Sequence, residues 1–154
     1  MHRLREQILV GGFKAALAAA KVSATTVVLN CAGRRLHEFL PGTEGPFERL
    51  RAQNRVHDLE WIDSDSFEIP VSDVADAICW VSAQLAAGNS VVFNCAQGRS
   101  RSGAMAAAFL MHRHGIGSVA ALHRVQERRP FCQPNPGFIR QLAAMEATIL
   151  ALTA

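Results

Sequence analysis

The chain has 154 residues, a formal net charge of +3 and 49% hydrophobic residues. That size suits one domain with a proper core, taken as residues 1–154, and the composition excludes a disordered chain. The charge is too small to argue for nucleic acid as a partner, and no apolar run approaches the ~20 residues that a membrane span needs. Arginine far outnumbers lysine, which is confined to Lys14 and Lys21. Arginine suits phosphate and carboxylate recognition, but genomic composition produces the same bias. The opening, Met1-His2-Arg3-Leu4-Arg5-Glu6, is not followed by a signal-peptide core, and neither end carries a lipidation signature. The cysteines at 31, 79, 95 and 132 show no metal-type pairing. A soluble protein of a reducing compartment is expected, with the cytoplasm first and the nucleus also compatible.

In chain order, Ile8 to Gly12 reads as a short strand and turn, and the Ala-rich Phe13 to Lys21 as a short helix. Thr25 to Asn30 is a β-branched strand. Cys31 follows at its end, where an α/β sheet presents its ligand edge. Loops marked by Pro41, Gly42, Gly45 and Pro46 come next, with a short helix over 47–53. Arg34, Arg35, Arg49, Arg51 and Arg55 are left as a solvated face. Arg55 to Ile62 alternates in part and reads as a strand. It runs into an acidic segment, Asp63-Ser64-Asp65-Ser66.

Val71 to Ala87 has apolar residues at helical spacing, with Asp73 and Asp76 in the first turns and Gly88 as the stop. Cys79 and Trp80 within it are assigned to packing. A helix from Ser102 to His114 ends at Gly115. Another runs from Ser118, a candidate cap, to Arg129 before Pro130. Asn135 is a natural N-cap and Pro136 a natural first residue for the last helix. His112 and His114 point to different helix faces, and no spacing supports a metal site.

The chemistry concentrates at Val91 to Gly103, read Val-Val-Phe-Asn-Cys-Ala-Gln-Gly-Arg-Ser-Arg-Ser-Gly. An apolar strand feeds a loop that opens a helix. Such a loop aims N–H groups and the positive end of the helix dipole at one centre, which makes an anion site. Cys95 at its mouth would have its thiolate stabilised there, and Arg101 could grip a phosphate through parallel hydrogen bonds. Cysteine, Gly98, Arg101 and Ser102 at these offsets arise by chance only about 0.002 times in a chain of this composition.

Cys95, five residues, then Arg101-Ser102 resembles the signature of the cysteine-dependent protein tyrosine phosphatases, and Gly98-Arg99-Ser100-Arg101-Ser102 resembles the dual-specificity branch. The resemblance implies an α/β fold. Its central, mostly parallel twisted sheet has four to five strands flanked by helices, with the phosphate loop at the C-terminal end of a central strand. It implies hydrolysis of phosphotyrosine and phosphoserine or phosphothreonine in phosphorylated proteins, with no cofactor and no metal. Cys95 is then the nucleophile. Ala96, Gln97, Gly98, Arg99, Ser100 and Arg101 form the phosphate loop. Ser102 eases departure of the sulfur, and Asp65 is the general acid, with Asp63 as runner-up. Gln133-Pro134-Asn135-Pro136-Gly137-Phe138 is similar to the family's Pro-Asn-x-Gly-Phe motif, so Asn135 either braces the loop or merely caps its helix. Some relatives in the superfamily carry a second cysteine near position 31, so Cys31 is either a redox partner of Cys95 or a buried structural thiol.

Asn94 departs from the pattern, because the family usually has histidine there. That departure raises one alternative, a phosphate-binding module of low activity. Separately, the choice of substrate leaves a phosphoinositide phosphatase as an alternative, to which the loop's Arg99 conforms and Gln97 does not. The sequence carries no signal of oligomeric state.

Overall fold

A computed structural model describes residues 1–5 and 7–153. Glu6 and Ala154, which belong to the opening segment and the expected span 1–154, lie outside the described residues.

The strands are β1 (His2–Arg5), β2 (Ile8–Gly12), β3 (Thr26–Asn30), β4 (Val56–Asp58) and β5 (Ser90–Cys95). The helices are α1 (Phe13–Val22), α2 (Leu36–Phe39), α3 (Glu44–Ala52), α4 (Val71–Ala86), α5 (Arg101–His114), α6 (Ser118–Arg128), α7 (Pro136–Ala144) and α8 (Glu146–Leu150). They build a five-stranded sheet in the order β1-β2-β5-β3-β4. Among the described residues β1 alone runs antiparallel, against β2. The expected mostly parallel α/β sheet is therefore present, with one antiparallel edge strand added.

The order explains where a ligand can sit. From β2 the chain crosses through α1 to β3 in one direction. From β4 it returns through α4 to β5 in the other. Right-handed crossovers in opposite directions place α1 and α4 on opposite faces. The crevice of such a sheet opens beyond the carboxyl ends of its central strands, and β5 ends there at Cys95. Strand β5 is central because it is apolar on both faces: Val91, Val92 and Phe93 are fully buried. Phe93 packs edge-on against Phe109 of α5 at 6.0 Å between ring centroids. The Ala104–Ala108 run lets α5 lie close to the sheet, and all of it is buried.

Several sequence-based boundaries move. The strand expected over 55–62 stops at Asp58, because its neighbour β3 ends at Asn30 and the last ladder bond is Leu59 N–H to the Asn30 carbonyl, 2.9 Å. Beyond it Leu59 and Trp61 are still buried, under the strand ends rather than in a strand. Helix α3 starts at Glu44, with Pro46 tolerated in its first turn. Ser118 is not a cap. Gly117 occupies that position, and the Ser118 N–H is taken by Glu146 Oε1 at 2.7 Å. Cys79 is exposed rather than packed.

Arg51 and Arg55 also leave the solvated face. Arg51 is largely buried and grips Asp58 with two hydrogen bonds, 2.8 and 2.7 Å. Arg55 binds the carbonyls of Ala20, Ser23 and Thr26 at 2.8–3.1 Å. Among the described residues no helix is long and apolar enough to cross a membrane.

Candidate active site

The loop from Cys95 to Arg101 is built by locking its carbonyls outward. Ala96 O accepts from Phe13 N–H at 3.3 Å, at the start of α1. Gln97 O accepts from Arg129 Nη2 at 3.0 Å. Gly98 O accepts from Arg129 Nε at 2.8 Å and from the Cys132 thiol at 3.5 Å. Arg99 O accepts from Gln133 N–H, 3.0 Å, and Ser100 O from Ala104 N–H, 2.9 Å, in the first turn of α5. In a trans peptide the C=O of one residue and the N–H of the next point opposite ways. Carbonyls held outward from Ala96 to Ser100 therefore turn the N–H groups of Gln97 to Arg101 inward. Those N–H groups and the N-terminal end of α5 face one pocket of about 470 Å³, with Cys95 among its lining residues.

Gly98 permits the turn. Its φ is +68°, and a Cβ there would stand 2.3 Å from the Gly11 carbonyl carbon. Any side chain would meet both the left-handed backbone penalty and a backbone collision.

Cys95 is 3% exposed. Burial pushes its thiol pKa up, but the Ser102 hydroxyl at 3.2 Å, the Ser102 N–H, the Arg101 charge and the Arg99 N–H pull it down. The net shift is downward, as a nucleophilic thiol requires. Arg101 Nη1 donates to the Trp61 carbonyl at 3.3 Å, while its buried Nε has no partner among the described residues.

Behind Cys95 runs a chain of amides. The Asn94 Nδ2 donates to the Cys95 carbonyl at 3.2 Å and to Asn30 Oδ1 at 3.4 Å. Asn30 Nδ2 donates to Asp58 Oδ1 at 3.0 Å, and Asp58 is held by Arg51. Asn94 is fully buried and its Oδ1 has no partner among the described residues. Cys31 is fully buried on the neighbouring strand end, its N–H bonded to the Asn94 carbonyl at 2.7 Å. Both Cys31 and Cys95 are free thiols.

The front wall separates the two candidate acids. Asp63 lines the pocket and Asp65 does not. Asp63 Oδ1 accepts from Asn135 Nδ2 at 2.9 Å. The backbone of Asp65 instead presses on α7: a Cβ on Gly137 would lie 2.1 Å from the Asp65 carbonyl oxygen, so glycine is required there. Its carboxylate faces the Gly137 N–H at 3.5 Å. The structure thus brings Asp63 to the pocket of Cys95 and Arg101 and leaves Asp65 against α7. Asn135 is both cap and brace. Its Oδ1 accepts from Phe138 N–H at 2.9 Å, a bond worth about 1 kcal/mol in such caps. Its own N–H donates to Ser100 Oγ at 2.9 Å.

A family model for the dual specificity phosphatase catalytic domain matches residues 8–148. The chain belongs to this family. As a dual specificity phosphatase domain it is similar to dual specificity protein phosphatase 1 of Arabidopsis thaliana, with 44% identity over 62 residues, 40% of this chain and 31% of that protein. It spans less than two thirds of the length of the first curated relatives that it matches. Among solved structures, the human tyrosine phosphatase-like serine/threonine/tyrosine-interacting protein superposes with a TM-score of 0.79. Identity is 24%, and 98% of each chain is covered. PTPMT1 in complex with PI(5)P superposes with a TM-score of 0.77 at 20% identity, covering 99% of this chain and 98% of that one. These two likenesses bear on the fold.

Sequence reasoning missed Arg129 and Cys132. Both brace the loop, 31 and 34 residues beyond its Gly98. Their only sequence signal is position, just ahead of the Pro134-Asn135 segment.

Proposed function

We propose that this domain hydrolyses phosphotyrosine and phosphoserine or phosphothreonine in proteins, without a metal, through a cysteinyl-phosphate. The Cys95 thiolate attacks phosphorus, forming an S–P bond as the P–O bond to the substrate breaks. Inward N–H groups of Gln97 to Arg101 and the free Nε of Arg101 hold the equatorial oxygens, whose charge needs the most stabilisation in the transition state. Asp63 gives its proton to the leaving oxygen. In the second step the Asp63 carboxylate takes a proton from water. That water attacks phosphorus, and the S–P bond breaks with the Ser102 hydroxyl donating to the departing sulfur. Phosphate leaves, and thiolate and acid are restored. Every group these steps use is a side chain or N–H of the chain.

The observation that carries this reading is the placement of the Cys95 sulfur in one pocket with Arg101 and 3.2 Å from the Ser102 hydroxyl, an arrangement that also draws its pKa down against burial. A module that only binds phosphate needs the N–H cradle but not an activated sulfur, so the same observation favours turnover over the binding-module alternative. The test is hydrolysis of an aryl phosphate and of phosphopeptides by wild type, Cys95→Ser, Asp63→Asn and Asp65→Asn. Expected are loss of turnover with Cys95→Ser and a roughly 10²- to 10³-fold drop with Asp63→Asn on peptides. Asp65→Asn is expected to cost far less. Undiminished activity in Cys95→Ser overturns the assignment. A larger drop with Asp65→Asn than with Asp63→Asn returns the acid to Asp65.

A further inference from the structure

A second cleft opens beside the phosphate pocket. It holds about 310 Å³ and shares Asp63, Ala96 and Arg101 with the first. Its remaining walls are of another kind. Leu36, Phe39 and Leu40, at and just after α2, line it together with Trp61 and Ile62. Trp61 and Ala32 are its buried members, each 1% exposed. Phe39 and Ile62 are its exposed apolar members, at 70% and 39%. Arg35 lies over the Phe39 ring, 6.0 Å from its centroid. Large apolar side chains left exposed beside an apolar hollow mark a recognition surface.

We propose that this cleft is a specificity subsite that takes one bulky apolar side chain of a phosphoprotein substrate, adjacent in sequence to the phosphorylated residue. The inference rests on the phosphatase reading above. Three observations fix the occupant. The cleft is continuous with the phosphate pocket through Arg101, whose guanidinium binds the Trp61 carbonyl, so both are filled by one ligand. Shared lining by Asp63, Ala96 and Arg101 sets the two clefts side by side, which suits neighbouring side chains of one peptide. The hollow is small, about 310 Å³, and backed by the buried Trp61 and Ala32. It suits a side-chain branch from a backbone passing outside better than a long acyl chain.

The test uses phosphopeptides in which leucine replaces alanine, in turn, at the two positions on either side of the phosphorylated residue. For each peptide kcat/KM is divided by that of the all-alanine peptide. At one position wild type should show a ratio of about ten, the size expected for burying a leucine side chain. In Phe39→Ser/Ile62→Ser, two exposed positions that leave the core intact, the ratio should fall to about one to three. A ratio near one at every position in wild type overturns the subsite while leaving the phosphatase reading standing. So does a ratio that the double variant does not lower. Faster hydrolysis of a phosphoinositide in mixed micelles than of the best leucine peptide overturns the choice of occupant. Failure to hydrolyse any peptide or an aryl phosphate overturns the phosphatase reading itself.

Discussion

Cys31 and Cys95 sit on the ends of adjacent parallel strands, are both buried and are both free, yet their thiols are driven in opposite directions. Burial pushes Cys31 well above the ordinary thiol range. The charge of Cys95 adds to that, and Arg101 offsets it only in part. Its sulfur reaches nothing better than the Leu29 carbonyl at 3.9 Å. Cys95 suffers the same burial but lies where α5 begins, with the Ser102 hydroxyl and N–H groups of the loop directed at it. The contrast teaches that activation comes from the strand-loop-helix junction and not from depth in the protein.

The contrast is open to experiment. Cys95→Ser should lower aryl phosphate turnover by about four orders of magnitude or more, whereas Cys31→Ser should not approach that loss. Arg101→Lys keeps a charge but not the planar fork, and should cost roughly 10²- to 10³-fold in kcat. Ser102→Ala removes the leading group that lowers the Cys95 pKa. It should move the midpoint of Cys95 alkylation to higher pH and slow kcat by about tenfold. Read by mass spectrometry, alkylation of wild-type Cys95 should persist to lower pH than that of an ordinary thiol, because a lowered pKa keeps the thiolate populated as pH falls. Cys31 should resist until high pH, since its raised pKa keeps it protonated. The smallest effect is expected from Cys31→Ser, within about twofold in kcat. A Cys31–Cys95 disulfide found after peroxide treatment would show that the two thiols cooperate rather than merely differ.

The phosphate loop was legible in the sequence because its chemistry needs contiguous residues: a strand, Cys95, Gly98, Arg101, Ser102 and a helix. The mostly parallel sheet came with the resemblance this stretch carries, whereas apolar runs and Ala-rich segments gave only the individual strands and helices. The proposed acid was harder. Asp63 and Asp65 lie two apart in a segment without periodicity. What separates them is Gly137, whose missing side chain lets the Asp65 backbone dock on α7, and Asn135, which reaches Asp63 across 72 residues of sequence. Arg129 was illegible. In a chain with many arginines, a buried guanidinium that clamps two loop carbonyls looks like any other until the fold surrounds it. Strand β1 was also unread, being four residues rich in charge at an edge.

The placement of the loop has one further consequence. Cys95 terminates β5, which has β2 bonded on one side and β3 on the other, with Phe93 and Phe109 packed beneath. The anion cradle is thereby tethered to the segment of the molecule with the least freedom to open. Amides of residues 91–95 should exchange their hydrogens only through global unfolding, while those of the exposed α2 exchange through local fluctuations. The proposed nucleophile would then sit on the slowest-exchanging element of the domain, beside a proposed subsite built from one of its fastest.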